Sequence, residues 1–285
     1  MKILVTGGAG FVGTNLIKRL VKDGHEVISL DNYCTGFKSN HQGGCQYFDI
    51  DVSDSFDLHS VLLSIDIDMI YHLAALARIQ PSIKNPTPAI KNNFDSTLNI
   101  LEWARENEKP IVFAGSSSFH HGLWGSPYAW SKHAGEQLCE LYNKVYGLQS
   151  VTCRFYNVYG PHQLESGTYA TVIGIFEKQY REGRALTVTG TGEQRRDFTH
   201  IDDIVDGLIR CGDNIETVNG EIFELGRGVN HSIIEITEMF GETEVEYIPP
   251  RPGEYDMTLA DYSKANKILG WKPTKNLPDY IKEVI

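Results

Sequence analysis

The first thirteen residues constrain the fold more than any other stretch of the chain. Residues 3–5 form a short apolar run, which is typical of a strand buried on both faces of a parallel sheet. Gly7, Gly10 and Gly13 follow, and a helical pattern begins after them. A strand that turns directly into a helix exposes backbone N–H groups at the positive end of the helix dipole, where a phosphate can bind. The sequence therefore predicts a dinucleotide-binding turn.

Short apolar segments and amphipathic helical patterns alternate after this turn. The predicted helices are 14–23 and 87–107, and the predicted strands are 26–30, 45–48, 69–73 and 111–114. This alternation predicts an α/β fold with a Rossmann doubly wound parallel sheet. We also expect a late strand at 223–225 that returns to the main sheet, and a strand at 186–188 in a smaller lobe.

Acidic and small residues stand at the predicted strand ends, where open parallel sheets bind ligands. A carboxylate at Asp31 can accept hydrogen bonds from the adenosine ribose and would repel a 2′-phosphate, which favours NAD over NADP. The alternative for Asp31 is a solvated loop acid. We expect Asp49 to meet the adenine amino group and Ile50 to pack on the ring, while Ala74 and Ala75 leave room for the cofactor.

These features predict two interleaved parts. The NAD-binding Rossmann domain is expected at 1–160, with a late return around 198–228. A smaller C-terminal α/β lobe that binds the substrate is expected at 161–197 and 229–285. No linker or low-complexity tract separates the two parts.

Tyr128 and Lys132 lie four residues apart and therefore share one face of a predicted helix. A tyrosine with a pKa of about 10 is a poor base at neutral pH, and a nearby ammonium group lowers that pKa. The phenolate could take a proton from a sugar hydroxyl while hydride leaves the same carbon. Ser117 follows a neighbouring strand and could hydrogen-bond the same hydroxyl. His72 is expected to pack within its strand.

Charge and composition exclude several classes of partner. The net charge of −11 and the lack of a basic run argue against nucleic acid and anionic membranes. No apolar run is as long as a membrane span, and no signal peptide is evident. The five cysteines have no paired spacing, so we expect reduced thiols in a cytoplasmic protein, without a disulfide framework or a metal site.

Taken together, the motifs resemble the extended short-chain dehydrogenase/reductases, in particular the NAD-dependent nucleotide-sugar epimerase/dehydratase group. The resemblance covers nearly the whole chain and is carried by segments 6–13, 31–32, 72–75, 116–118, 128–132, 154–161, 196–198, 251–254 and 260–261. It implies that Ser117, Tyr128 and Lys132 are the catalytic trio. It also implies an NAD site that contains Gly7, Gly10, Phe11, Val12, Gly13, Asp31, Asn32, Asp49, Ile50, Leu73, Ala74, Ala75, Asn93, Tyr128, Lys132 and Tyr156.

Asn93 interrupts a predicted helix, where asparagine is a poor helix former. It either faces water or stabilises local structure, and the resemblance implies that it supports the active-site helix. The resemblance further implies that Asn157, Arg196 and Arg251 hold the phosphates of a sugar nucleotide, with Ser117 at the sugar. Guanidinium groups match phosphate geometry, although each arginine could instead form a surface salt bridge.

A few positions bear on the reaction within the family. Related 4,6-dehydratases carry an Asp-Glu pair, and uronate decarboxylases usually a glutamate, where this chain has Ser118 and Phe119. This favours a 4-epimerase that inverts C4 of a UDP-hexose of the glucose, N-acetylglucosamine or glucuronate type through a transient 4-keto sugar. A dehydratase, a decarboxylase or a non-catalytic NAD-binding sensor is the alternative.

Three further expectations concern the surroundings of the site. His121, preceded by His120, stands where relatives usually have a tyrosine, and the pair could either pack or contact the substrate. The loop 77–82 is expected near the sugar. Apolar residues on two helices suggest a homodimer through a four-helix interface, or else ordinary core burial; they are Trp103, Leu138, Leu141 and Tyr142.

Overall fold

The computed structural model describes residues 1–63, 65–121 and 123–285, except for the side chain of His121. Within these ranges the strands are β1 Lys2–Thr6, β2 Glu26–Asp31, β3 Cys45–Asp49, β4 Met69–His72, β5 Ile111–Ser116, β6 Ser150–Phe155, β7 Val158–Tyr159, β8 Leu186–Thr189, β9 Arg195–Asp197, β10 Thr199–His200, β11 Ile222–Leu225, β12 Asn230–Ser232 and β13 Val245–Ile248. The α-helices are α1 Phe11–Lys22, α2 Ser55–Leu62, α3 Ile79–Lys84, α4 Pro86–Glu106, α5 Pro127–Tyr146, α6 Val172–Arg181, α7 Ile201–Asp213, α8 Ile233–Met239, α9 Ser263–Leu269 and α10 Leu277–Val284. Short 3₁₀ turns occur at Lys38–Asn40 and Ser117–His121.

The central sheet has seven strands in the order β11-β6-β5-β4-β1-β2-β3. Every neighbouring pair is parallel, which confirms the predicted Rossmann sheet. The late strand β11 pairs with β6, as expected. The strand order reverses between β1 and β4, and ligands bind in open parallel sheets at such a switch point.

Both faces of this sheet are covered by helices. Leu16 of α1 and Leu208 of α7 belong to an apolar cluster with Val5 on one face. Leu4 lies in a second cluster with residues of α2, α4 and α5 on the other face. Since β1 is buried on both sides, its sequence is a continuous apolar run without alternation.

A smaller layer lies beside the C-terminal ends of the sheet. Strands β8 and β13 form a parallel pair, which confirms the strand expected at 186–188. Strands β9 and β12 pair antiparallel, and β7 pairs with β10. A third apolar cluster joins β7, β8 and β13 to α6, α8 and α10. In the described part of the chain, no helix combines the length and apolar character needed to cross a membrane.

Candidate active site

The glycine turn packs so closely that side chains would not fit. Gly7 has φ +72°, and a Cβ atom there would lie 2.9 Å from the Ala74 Cα. A Cβ atom at Gly13 would lie 2.2 Å from the carbonyl oxygen of Gly7. Gly10 precedes α1 without a side-chain cap. The first N–H groups of the helix therefore remain available for a ligand.

A cavity of about 520 Å³ lies against this turn, across the C-terminal ends of the central strands. This volume is within the range of sites that bind small molecules. The cavity brings together most of the predicted site residues: Gly7, Gly10, Phe11, Val12, Gly13, Asp31, Asn32, Ile50, Leu73, Ala74, Ala75, Ser117, Tyr128, Asn157, Arg196 and Arg251. The predicted residues that lie outside its wall are Asp49, Asn93, Lys132 and Tyr156.

Asp31 is a buried acid at the end of β2, which excludes the solvated-loop alternative. Its oxygens accept hydrogen bonds from the backbone N–H groups of Ala9 at 2.9 Å and Tyr33 at 2.8 Å. Burial raises the pKa of this carboxyl group, and the two backbone donors partly offset the effect. Beside it, the Asn32 amide donates to Asp51 at 3.1 Å. Asp31 is thus held rigidly in the cavity wall.

Asp49, which was expected in the wall of the cofactor site, does not line the cavity; the acid that does is Asp51, two residues later. Asp49 is the last residue of β3, and its carboxylate is 62% exposed and pairs with Lys38 at 3.3 Å. Asp51 and Val52 line the cavity together with Ile50. The chain turns into the cavity only after the strand ends, and this corrects the placement of Asp49.

Tyr156 was also expected in the cavity wall, and that prediction is displaced by one residue. Its ring is buried, and its hydroxyl donates to Glu224 at 2.8 Å. Phe155 and Asn157 line the cavity instead. Neighbouring side chains at the end of an extended strand point to opposite sides, so Phe155 takes the place expected for Tyr156.

Asn93 connects three elements around the site. It is buried on α4; its carbonyl accepts from the Leu76 N–H at 2.7 Å, and its amide donates to the Ser131 hydroxyl at 2.9 Å. These bonds join α4 to the segment after β4 and to α5, which carries Tyr128. The structure therefore shows local support, as the resemblance implied, and not a water-facing side chain.

The phenol of Tyr128 faces the cavity from the start of α5. Its hydroxyl donates to the Ser116 hydroxyl at 3.2 Å, and its backbone N–H donates to the Ser82 hydroxyl at 3.2 Å. Burial raises the pKa of Tyr128 above its usual value. The bond with Ser116 and the guanidinium of Arg78 oppose this rise, whereas the Glu136 carboxylate adds to it.

Lys132 lies one turn after Tyr128 on α5, and its side chain is buried. Its ammonium group is buried 4.4 Å from the centre of the Phe113 ring. Burial lowers the pKa of Lys132 to about 8, and the Glu136 carboxylate opposes this shift. Arg78 is a further cation, which lowers the pKa of Tyr128. The catalytic role of Lys132 stays a prediction.

A buried ion pair holds the serine segment in place. Glu136 accepts from the Ser116 N–H at 3.3 Å and pairs with Arg154 at 2.8 Å. The Phe119 ring covers the guanidinium at 3.4 Å. Ser117 lines the cavity, but Ser116 is the serine that contacts the phenol. Ser117 therefore stays a candidate, and Ser116 joins it.

Sequence analysis missed Ser116, Arg78 and Glu136. Glu136 follows Lys132 by four residues, and this spacing placed it on the helix face near the site. Its opposite charge to Arg154, which lies within an apolar strand, was a second signal. Arg78 carried no signal beyond its place in the loop expected near the sugar.

The two predicted phosphate-binding arginines line the cavity without forming the alternative surface salt bridges. Arg196 is partly buried and donates to the Arg195 carbonyl at 2.9 Å. Burial lowers the pKa of Arg196, and nearby groups, Glu254 first among them, oppose this. Arg251 is exposed at the mouth of the cavity. Across residues 1–63, 65–121 and 123–285, neither side chain has an acidic partner within ion-pair distance.

Asn157 links the two layers at the same cavity. Its backbone has φ +26°, which is unusual outside glycine. Its amide donates to the Asp197 carbonyl at 3.0 Å and to the Thr258 hydroxyl at 3.2 Å. The donor side is therefore used by the protein, and the carbonyl oxygen is the atom left for a ligand.

His72 packs within its strand, as predicted, and His120 contacts an acid outside the cavity wall. His72 is buried between the Thr6 and Thr97 hydroxyls at 2.7 and 3.2 Å, and burial lowers its pKa to about 3. His120 contacts the Glu224 carboxylate at 2.5 Å. The side chain of His121, the other half of the pair, lies outside the described residues.

Replacement of Lys132 by methionine is expected to stabilise the fold. The folded-state pKa of about 8 lies below the ordinary 10.5, so the unfolded chain binds this proton more tightly. The ammonium therefore destabilises the fold below pH 8, and the effect disappears as the pH rises towards 10.5. Lys132→Met should raise the free energy of unfolding at neutral pH by about 3 kcal/mol. Urea titrations of both proteins at neutral and alkaline pH measure this, and an equal stability at neutral pH would contradict it.

A family model, the sequence of a relative and two solved structures all point to the same protein family. Residues 3–226 match the model of the NAD dependent epimerase/dehydratase family. A putative UDP-glucose 4-epimerase of Methanocaldococcus jannaschii is 33% identical over 304 residues, covering 99% of this chain and 97% of the relative. The UDP-glucose 4-epimerase of Thermotoga maritima, solved with UDP-glucose, is 28% identical with a TM-score of 0.92, covering 99% and 96% of the two chains. The UDP-glucuronic acid 4-epimerase of Bacillus cereus, solved with UDP-glucuronic acid and NAD, is 31% identical with a TM-score of 0.90, covering 99% and 97%.

Proposed function

Because the chain belongs to the NAD-dependent epimerase/dehydratase family, we propose that it is an NAD-dependent 4-epimerase of a UDP-hexose. The observation that carries this is the phenol of Tyr128, which faces the same cavity as the glycine turn and the two arginines. The similar proteins with UDP-sugars bound support the nucleotide.

The glycine turn and its neighbours fit NAD. Gly7 and Gly13 let the turn pack directly against the backbone of Ala74 and of Gly7, and dinucleotide-binding turns need such close packing to receive a pyrophosphate. Asp31 retains lone pairs for ribose hydroxyls, and its negative charge disfavours a 2′-phosphate. Asp51 and Val52 supply a polar group and an apolar surface for the adenine. When bound, NAD supplies the acceptor and donor of hydride.

The remaining chemistry belongs to the residues of this chain. Tyr128 would take the proton of the sugar C4 hydroxyl and return it after the transient 4-keto sugar has turned its other face. Ser116 and Ser117 would hydrogen-bond the reacting oxygens. Arg196 and Arg251 would hold the diphosphate while the sugar turns, since charge-assisted bonds to phosphate are strong.

Epimerisation fits the acids of the cavity better than elimination. A 4,6-dehydratase must protonate a departing hydroxyl group, for which a carboxylic acid near the sugar is needed. Among the described residues, the acids in the cavity wall are Asp31, Asp51 and Glu254. Asp31 and Asp51 lie with Asn32 at the end of the glycine turn, and the charge of Glu254 acts on Arg196.

A panel of substrates tests this function. The purified protein is incubated with UDP-glucose, UDP-N-acetylglucosamine and UDP-glucuronate, and the products are analysed for inversion at C4. At least one of them should be converted to its 4-epimer without added reductant. Turnover of a dTDP- or GDP-sugar alone would refute the UDP assignment, and a dehydrated or decarboxylated product would refute epimerisation.

We also propose a cytoplasmic homodimer. Leu141, Val145 and Tyr146 of α5 are exposed next to α4, which supports an interface there. Trp103 and Tyr142 are buried within the chain, so core burial explains those two. The five cysteines are free thiols in the structure. Sedimentation as a monomer would contradict the dimer.

A further inference from the structure

Arg78 places a guanidinium group in the cavity wall that also contains Tyr128, and no ligand contact has been assigned to it. We propose that Arg78 binds a carboxylate on the sugar, so that the preferred substrate is a nucleotide-linked hexuronate. This inference rests on the proposed 4-epimerase function and narrows it to one class of sugar.

The hydrogen bonds of Arg78 leave part of its guanidinium unused. Nε donates to the Tyr169 carbonyl at 3.0 Å, and Nη1 has a weak contact with the Ala77 carbonyl at 3.4 Å. Within the described ranges, Nη2 has no protein acceptor and the side chain has no acidic partner. The residue is half-buried and lines the cavity. A partly desolvated, unpaired cation is unfavourable until an anion joins it.

The position of Arg78 relative to Tyr128 is fixed by the surrounding backbone. Arg78 immediately precedes α3, and Ser82 of that helix accepts from the Tyr128 N–H at 3.2 Å. On the other side, the Leu76 N–H donates to Asn93 at 2.7 Å. Gln80 also donates to the Pro252 carbonyl at 2.7 Å. The segment is therefore anchored to α4, α5 and the loop that carries Arg251.

The chemistry of a hexuronate matches this position. Tyr128 reacts at the C4 hydroxyl, and the C6 carboxylate is attached to C5, the neighbouring ring carbon. Arg78 lines the same cavity as Tyr128, and the helix that it precedes is bonded to the Tyr128 backbone through Ser82. Arg78 therefore stands on the side of the cavity where that carboxylate would lie. Guanidinium and carboxylate groups form paired, charge-assisted hydrogen bonds. A neutral C6 hydroxyl group would leave the cation without its counter-ion.

The other charges that face the cavity are assigned to different parts of the ligand. Arg196 and Arg251 stand where the diphosphate is proposed to bind. Asp31 and Asp51 lie at the adenosine end, and Glu254 lies near enough to Arg196 to oppose the lowering of its pKa. Arg78 is thus the cation that remains for the sugar among the described residues of the wall.

The test compares binding of UDP-glucuronate and UDP-glucose, so that it does not depend on turnover. Calorimetry is done on the Tyr128→Phe protein loaded with NAD, with and without Arg78→Gln or Arg78→Lys. With Arg78 present, UDP-glucuronate should bind about 10- to 100-fold more tightly than UDP-glucose. Arg78→Gln should remove this preference by weakening the uronate alone, and Arg78→Lys should retain part of it. Arg251→Gln is the matched control, because it should weaken both ligands equally.

Two results would overturn the inference. The first is an equal affinity for UDP-glucuronate and UDP-glucose when Arg78 is present. The second is an equal loss of affinity for both ligands in Arg78→Gln. The second result would make Arg78 a structural residue or a phosphate ligand. Failure of the proposed function is a separate result. In that case the wild-type protein forms no 4-epimer from any UDP-sugar, while the calorimetric comparison still decides the role of Arg78.

Discussion

Replacement of Tyr128 by phenylalanine is expected to lower kcat by about 1,000-fold, because general acid–base catalysis by one side chain contributes roughly 100- to 10,000-fold. The ring would still fill its place at the start of α5, so affinity for NAD and UDP-sugar should stay close to that of the wild type. Kinetics give kcat, and calorimetry gives the two affinities. Tyr142→Phe on the same helix is the matched control, since that phenol bonds Glu102 away from the cavity.

The Tyr128→Phe variant distinguishes a catalytic role of the phenol from a role in positioning the ligands. A loss of cofactor binding together with turnover would show that the phenol is needed to form the site and not to move a proton. Survival of wild-type kcat in Tyr128→Phe would remove Tyr128 as the acid–base group. The sensor alternative is contradicted by any steady turnover of the wild-type protein.

Replacement of Glu136 by glutamine is expected to destabilise the protein by about 3–5 kcal/mol, the usual effect of breaking a buried ion pair from one side. Arg154 would keep its charge with only a neutral amide beside it, and its side chain is 9% exposed. The Ser116 N–H would also lose the charged acceptor that holds it near Tyr128. Urea unfolding measures the change in stability.

The double variant Glu136→Met with Arg154→Met serves as the control. It removes both charges and should recover much of the lost stability, because buried pairs are often replaced by apolar residues without loss. A loss below about 1 kcal/mol in Glu136→Gln would be no more than an ordinary substitution causes. That result would contradict the structural role given to this pair.

Local sequence signals predicted most of the fold and much of the site. The turn around Gly7 and Gly13 could be predicted because each glycine there satisfies a steric requirement that no other residue meets. Asp31 could be predicted from its place at the end of a clearly apolar strand. The parallel sheet followed from the same apolar runs, which are buried on both faces.

The errors arose where a strand ends and where distant segments meet. Asp49 and Tyr156 were expected in the cavity wall, which instead contains Asp51 and Phe155, because the sequence does not show at which residue the backbone leaves the strand. A shift of one residue reverses the side that a side chain faces. Arg78 acts electrostatically on Tyr128 across a separation of fifty residues in the chain, and no local pattern encodes that interaction.

The most direct test of the account is the reaction itself, carried out in D₂O and followed by proton NMR on whichever UDP-sugar the protein converts. If Tyr128 exchanges only the proton of the C4 hydroxyl while the carbon-bound hydrogen is removed and returned within the site, the 4-epimer should keep protium at C4 and gain no deuterium at C5. Deuterium at either carbon would contradict the proposed mechanism, because the carbon-bound hydrogen would then have exchanged with solvent.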